Sequence, residues 1–490
     1  MSTARSTPAL PPETLAEPPE APVRPRIAVI GGGAAGTLAA VHLMREAHAT
    51  GIEGAEIVLI DSRGVFGPGI PYATSDPFHL LNVPAVRMGG ISGQPEHFHA
   101  WLQRRGSRAA PEAFLPRGLF GGYLHDLLDE AEAAGAGSAC LTRVEGEVLS
   151  LTETERSPAP LEIALADGRR LWADRAMLAI GPPPGGDPTP VPAELRDAGV
   201  YVADPWTRDA LAAAATDESV LIVGTGLTMV DVALSLGRSE PGPTMRAVSR
   251  HGLVPRTHRR ELTRIEQFPL PRDARTLEPV IVAMLEQIGL VAQRGGDWRD
   301  VFDSMRSSTP AIWRSLDTDE KRRFLASLQR FWDVHRFRMA PAVAERFAEL
   351  QDQGRLRVDA CSVAALEPRG SGARVSLRAA GQHALETVDV DRVINCTGAG
   401  ADLTRGAPPL LASLLAAGTA RADALSLGLE VDPDGALIDA AGRASELIHV
   451  IGALRKGVEW EAIGVTEIRD HAARAARLAL AAHVAAGTGR

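Results

Sequence analysis

Cysteine is scarce in this chain: Cys140, Cys361 and Cys396 are the three among 490 residues, and no two stand at C-x-x-C or C-x4-C spacing. That excludes a disulfide scaffold, a cysteine-built zinc site and a redox-active dithiol pair. Long apolar runs are also missing, so nothing reaches the roughly 20 residues that a bilayer span requires. There is no dense Lys/Arg block and the net charge is −9, which argues against nucleic acid or an anionic membrane surface as partner. Seven prolines fall in residues 1–25, a stretch without a hydrophobic core segment. It reads as a disordered tail rather than a signal peptide, and the protein as cytoplasmic. What is present is ordinary for a globular protein, with 45% hydrophobic and 23% charged residues in a length that suits two or three domains.

Glycine carries the information. Arg26-Ile-Ala-Val-Ile precedes Gly31-Gly32-Gly33-Ala34-Ala35-Gly36, and Ser219-Val-Leu-Ile-Val precedes Gly224-Thr225-Gly226-Leu227-Thr228-Met229. The two turns lie 193 residues apart, each after a β-branched run and before helical apolar spacing. In such a strand–turn–helix the first glycine allows the turn and the second allows backbone to approach a pyrophosphate. The third lets helix pack on strand, and the helix N-terminus, here Ala34-Ala35, faces the phosphate charge. Two such units predict a protein that holds two dinucleotides. The second strand of the first unit, Ala55–Ile60, is closed by Asp61, placed to bond a ribose hydroxyl. In the second unit Met245-Arg-Ala-Val is followed by Ser249-Arg250 and then by Pro255-Arg256. A basic group in place of the acid suits a ribose 2′-phosphate. The first site therefore reads as FAD and the second as NADPH, with no metal site.

An internal repeat supports the pair. A hairpin-like stretch after the first fingerprint leads to Asp174-Arg175 and a strand ending at Gly181, and a second leads to Asp391-Arg392 and a strand ending at Gly398. Each returning strand would bring its glycine beside a bound nucleotide. The expected fold is α/β, with two Rossmann-like dinucleotide-binding domains and a helical insert. Residues 26–205 plus 390–490 are assigned to the FAD domain and 206–273 plus 351–389 to the NADPH domain. Residues 274–350 form the insert, where Asp317-Thr-Asp-Glu320 reads as a capping box and Pro341 and Gly354 bound a last helix.

Further segments have the composition of cofactor contacts. Phe66-Gly-Pro-Gly-Ile-Pro-Tyr72 is too rich in Gly and Pro for regular structure, and His79-Leu-Leu-Asn82-Val-Pro follows with an amide at Asn82. Near the C-terminus, a strand ends at Gly452, and Trp460-Glu461 is expected to open the last helix, Thr466 to His483. His335, Arg336 and Arg338 cluster at the end of the insert. They could meet an anionic substrate or the NADPH phosphates, and equally fit a salt-bridged helix end.

These motifs, with Gly224-Thr-Gly-Leu-Thr-Met-Val-Asp231 and Ser249-Arg250-His-Gly-Leu-Val-Pro255, resemble a bacterial family of FAD- and NAD(P)-binding proteins over nearly the whole chain after residue 25. The wider group is similar to flavin monooxygenases that hydroxylate amines, including ornithine and lysine N-hydroxylases. The chain departs from the monooxygenase pattern F-x-G-x-x-x-H before the second glycine turn, where it has Tyr201-Val-Ala-Asp-Pro-Trp206. The resemblance implies NADPH-driven reduction of FAD, addition of molecular oxygen at the flavin C4a, and oxidation of a small nucleophilic substrate such as an amine. A reductase passing electrons to a quinone or a partner redox protein is the alternative, and a cofactor-dependent sensor a third.

Overall fold

The computed structural model describes residues 24–155, 159–207, 209–259, 267–271, 274–400, 402–403 and 406–487. All but Arg24 and Pro25 of the tail expected over residues 1–25 lies outside them.

The first fingerprint strand, β1 (Arg26–Ile30), is followed by a helix Ala34–Thr50 and by β2 (Ala55–Asp61) and β3 (Ala139–Glu145). A separate antiparallel sheet of β4 (Val148–Glu153), β5 (Leu161–Leu165) and β6 (Arg170–Ala173) leads into β7 (Arg175–Leu178). The second unit holds β8 (Tyr201–Val202), β9 (Ser219–Val223), β10 (Thr244–Ser249), β11 (Leu356–Arg369), β12 (Gly372–Ala379), β13 (Leu385–Val390) and β14 (Arg392–Asn395). The chain returns with β15 (Ala436–Ile438), β16 (Ala444–Val450) and a long helix Val465–Gly487. The first sheet runs β15-β16-β7-β1-β2-β3 and the second β13-β12-β11-β10-β9-β14-β8. Ile27, Val29, Val220, Leu221 and Ile222 are at most 1% exposed. Burial on both faces is what turns the fingerprint strands into continuous β-branched runs.

The two units are built alike. The small sheet β4-β5-β6 has its counterpart in β11-β12-β13, fused to the second main sheet because β11 is 14 residues long. The D-R dipeptides have one physical job in both. Asp174 Oδ2 accepts from the Arg26 amide at 2.7 Å, and Asp391 Oδ2 accepts from the Ser219 amide at 2.9 Å. Each carboxylate ties the start of the returning strand to the start of its own fingerprint strand.

That pairing moves the expected boundaries. β14 lies beside β9 in parallel register, Val393 opposite Leu221, and β8 pairs with β14. Tyr201–Val202 and Arg392–Asn395 thus belong to the second sheet, although divisions at 205 and 390 give them to the first unit. The helix Pro341–Asp352 likewise packs Val343, Phe347 and Leu350 into the core around Ile222 and Val232. It is part of the second nucleotide fold, and the insert is the helical run before it. The expected capping box at Asp317 is absent: Asp317 makes no side-chain cap bond. Glu320 accepts instead from the Leu277 amide of a neighbouring helix at 2.8 Å, and a capping box forms at Asp297 with Asp300.

Candidate dinucleotide and substrate site

At the first fingerprint Gly31 has φ +110°, and a Cβ there would stand 2.4 Å from the Ala179 carbonyl oxygen. A Cβ on Gly36 would lie 1.7 Å from the Gly31 oxygen. No larger residue fits either position, which is the close approach a pyrophosphate turn needs. Gly33 faces Gly69 of the Gly-Pro-Gly turn, whose Cα lies 3.4 Å from where a Gly33 Cβ would be. The turn is fixed by the Gly67 amide, which donates to the Gly32 oxygen at 2.9 Å. Ala34 and Ala35 form the first turn of the helix, and Gly452 comes close to Ala35. Asp61 ends β2, is 8% exposed, and accepts from the Gly32 amide at 2.9 Å. This cradle fits FAD: a narrow, side-chain-free turn with an acid at its ribose side.

The second fingerprint repeats the geometry. Gly224 has φ +111°, and a Cβ there would meet the Cys396 oxygen at 2.3 Å; Gly226 N-caps the helix Leu227–Leu236. Met229, in the place of Gly36, is wholly buried in the apolar core. Ser249 ends β10 as Asp61 ends β2, and its hydroxyl lies 2.8 Å from that of Thr225. Arg250 and Arg256 are exposed nearby, and the Arg256 amide donates to the Val334 oxygen at 2.8 Å. A hydroxyl and two exposed guanidiniums replace a buried acid, as a 2′-phosphate would require. Gly398, expected beside FAD, follows β14 of the second sheet. It meets the linker at Gly185, where a Cβ would stand 2.1 Å from the Gly398 oxygen. The returning strand of the first unit ends at Gly181, which holds the equivalent position.

A cavity of about 210 Å³ opens between the two folds and the insert. Its walls bring together Asn82, Arg336, Arg338 and Glu461, which the sequence had singled out, with Arg117 and Arg306, which it had not. His335 is elsewhere: its ring packs between Trp298 and Phe302 at 4.8 and 5.5 Å. One helical residue separates it from Arg336, and that rotation turns it out of the cavity.

Each arginine in the wall meets a carboxylate. Arg336 holds Glu461 through two bonds of 2.8 Å, with 10% and 6% of the side chains exposed. Arg306 holds Glu467 through two bonds of 2.8 Å, Arg117 pairs with Asp231, and Arg338 with Asp303. These partners lie 35 to 161 residues apart in sequence, so no local pattern announces them. His258 anchors the other wall. Burial drives its pKa down to about 3, with Arg338 adding to the effect. The neutral ring places Nε2 2.9 Å from the Asn82 carbonyl oxygen, tying the Arg256 segment to the Asn82 loop.

Glu461 does not open the last helix, which begins at Val465. It follows a γ-turn centred on Trp460, whose φ and ψ are 61° and −59°, with the Glu461 amide donating to the Glu459 oxygen at 2.7 Å. Cys396 is 4% exposed, and burial pushes its thiol pKa upward, consistent with a packing role. Among the described residues no helix is long and apolar enough to cross a membrane.

Residues 28–183 match a family model described as FAD-NAD(P)-binding. No curated protein matches the chain by sequence. Among solved structures it resembles L-lysine 6-monooxygenase from Pseudomonas syringae, with 17% identity, 93% of this chain and 99% of that one covered, and a TM-score of 0.62. Kutzneria sp. 744 ornithine N-hydroxylase, with reduced FAD, NADP+ and L-ornithine, gives 14%, 95%, 100% and 0.61. The FAD-bound cadaverine monooxygenase from Erwinia amylovora gives 13%, 94%, 95% and 0.58. At such identities the likeness is one of fold. Residues 28–183 thus resemble a FAD-NAD(P)-binding domain, and the chain as a whole shares its fold with these two-dinucleotide structures.

Proposed function

We propose that the protein is an NADPH-dependent FAD monooxygenase that oxidises a small amine or other nucleophilic substrate with molecular oxygen, working in the cytoplasm. The observation that carries this reading is a cavity on which the first fold, the second fold's Leu227–Leu236 helix and the insert all converge. A bound FAD supplies hydride acceptance from NADPH and activation of oxygen; the protein supplies binding, orientation and exclusion of water. Gly31, Gly33, Gly36 and Asp61 would hold its pyrophosphate and ribose, and Asn82 and Glu461 would flank the ring. Gly224, Gly226, Ser249, Arg250 and Arg256 would hold NADPH. Arg336, paired to Glu461, closes the substrate side. Three structures that share the architecture across more than nine-tenths of both chains, with TM-scores of 0.58 to 0.62, are named as amine or amino-acid monooxygenases and hydroxylases, and this supports oxygenation over electron transfer to a partner.

The test is NADPH consumption by the FAD-loaded protein across a panel of amines, amino acids and thioethers, with assay of the oxidised product. A substrate-dependent rise with matching product supports the reading. Stopped-flow mixing of the reduced protein with oxygen gives an independent check. Oxygen transfer predicts a delayed return of the oxidised-flavin spectrum, whereas immediate return would overturn it.

A further inference from the structure

Groups able to accept a proton are scarce in the cavity wall. Three carboxylates line it, Asp231, Glu461 and Glu467, together with four arginines and the Tyr72 hydroxyl. Arg336 holds both oxygens of Glu461 at 2.8 Å, and Arg306 both oxygens of Glu467 at 2.8 Å. The arginines are permanently charged donors. Burial pushes the Tyr72 hydroxyl up to about 12, so it keeps its proton at neutral pH. Asp231 differs from all of these. Its Oδ2 accepts from Arg117, while Oδ1 makes no hydrogen bond among the described residues and is not sealed by packing. The helix shows where that oxygen opens. Leu227, Val230 and Asp231 stand at i, i+3 and i+4 on one face of the Leu227–Leu236 helix, and all three line the cavity. The side chain is 11% exposed. Its charged neighbours come from several elements: Asp76 and His79 from the loop before Leu80, Arg117 from the first fold, and the Cys396 thiol from the end of β14. Burial raises the Asp231 pKa, Arg117 and His79 oppose this, and Asp76 adds to it. Arg117 is itself fixed, its amide donating to the His79 oxygen at 2.8 Å and its guanidinium lying over the Trp206 ring at 5.7 Å.

We propose that Asp231 is a catalytic base of this site, whose Oδ1 accepts the N–H proton that an amine nitrogen must shed as it takes up oxygen. The role rests on the monooxygenase reading above. As the nitrogen lone pair forms the N–O bond, one N–H bond breaks, its electron pair stays on nitrogen, and the proton goes to Oδ1. One atom of the oxygen molecule ends on nitrogen and the other leaves as water, with NADPH supplying two electrons and one hydrogen. The three new O–H bonds take that hydrogen, the proton from Asp231 and one proton from solvent. A carboxylate held from one side keeps an oxygen free for this work, whereas Glu461 and Glu467 would first have to break an ion pair. Arg117 acts through Asp231: it positions the carboxylate and favours its ionised, proton-accepting form.

The experiment uses the FAD-loaded protein with NADPH and oxygen, and compares the amines of the panel above with its thioethers, which have no proton to shed. Asp231→Asn keeps an oxygen for Arg117 and should lower the amine-to-thioether ratio of kcat/KM about hundredfold or more, the usual contribution of a general base. The wild-type kcat at saturating amine should fall on the acid side as Oδ1 is protonated, and Asp231→Asn should abolish that limb. Arg117→Gln keeps the carboxylate but removes the charge that favours its ionised form, so the limb should move to higher pH. That variant carries the test if Asp231→Asn does not fold. Without turnover, carbon NMR of the resting protein labelled at aspartate should show one carboxyl, lost in Asp231→Asn and displaced in Arg117→Gln, that titrates above the ordinary value of about 3.9. The same signal should shift when 1,4-diaminobutane is added. The proposal is overturned if amine and thioether rates fall together, if the acid limb persists in Asp231→Asn, or if that carboxyl does not respond to the amine. Thioether oxidation without amine oxidation in the wild type sinks this proposal alone; oxidation of neither class sinks the oxygenation reading with it.

Discussion

At the scale of single residues, space and charge make separate demands. Gly33 has room for a Cβ, since Gly69 Cα would be 3.4 Å away, but not for branches that would occupy the pyrophosphate position. Gly33→Val should therefore fold and purify without yellow FAD; full flavin occupancy in that variant would remove the first site assignment. The Arg336–Glu461 pair makes a different prediction, because both groups are at least nine-tenths buried. Arg336→Ala leaves an uncompensated carboxylate, and breaking such a buried pair costs about 3–5 kcal/mol. Denaturant unfolding should show that loss for the single variant and a much smaller one for Arg336→Met combined with Glu461→Leu. Equal losses would mean that packing, not charge, dominates there.

At the scale of elements, the short stretch before the last helix concentrates the constraints. A γ-turn with positive φ is rare and strained, and a non-glycine residue held so costs about 1–3 kcal/mol. Trp460 stays there because its indole packs on Trp313 and Phe324 with centroids at 4.8 and 5.1 Å. The turn delivers Glu461 to the cavity wall. Two residues earlier, Glu459 meets Arg455 and His471. Burial would raise its pKa, but the His471 bond and the Arg455 charge outweigh that and bring it to about 2. The unfolded value is near 4.3, so the folded carboxylate is the stronger acid. Its stabilisation is complete above the unfolded value and disappears as pH falls toward 2. Unfolding free energy should thus drop between about pH 5 and pH 2 in the wild type, and Glu459→Gln should flatten that segment. An identical acid limb in both proteins would show that Glu459 contributes nothing to it.

At the scale of the whole molecule, the two nucleotide folds are tied together at Leu227–Leu236. His79 Nε2 lies 2.9 Å from the Ser235 hydroxyl, which donates to Asp76 at 2.8 Å, and Arg117 reaches Asp231 on the same helix. The residues proposed for the two cofactors nevertheless lie on separate glycine turns, so Arg250→Ala should act on one site alone. A charge-assisted contact to a phosphate contributes roughly 1.5–3 kcal/mol, equivalent to about a tenfold to hundredfold preference. The Michaelis constant for NADPH should rise by that order while that for NADH and the flavin spectrum stay as they are. A wild type that uses both nicotinamides equally would refute the role given to Arg250.

The sequence by itself determined the two glycine turns, the Asp61 and Ser249 that end β2 and β10, and the repeat closed by Asp174 and Asp391. These rest on local backbone requirements: a turn that excludes Cβ, a strand buried on both faces, a carboxylate at a strand start. Tertiary structure decided which sheet each returning strand joins, because β14 finds its place through pairing with β9, about 170 residues away. It also decided the cavity. Asn82, Arg336, Arg338 and Glu461 were visible as candidates, but Arg117 and Arg306 were not, since nothing near them in sequence separates them from surface arginines. Their meaning comes from partners brought together over long sequence distances. His335 shows the same limit from the other side, being adjacent to Arg336 in the chain yet turned away from the cavity by the helix.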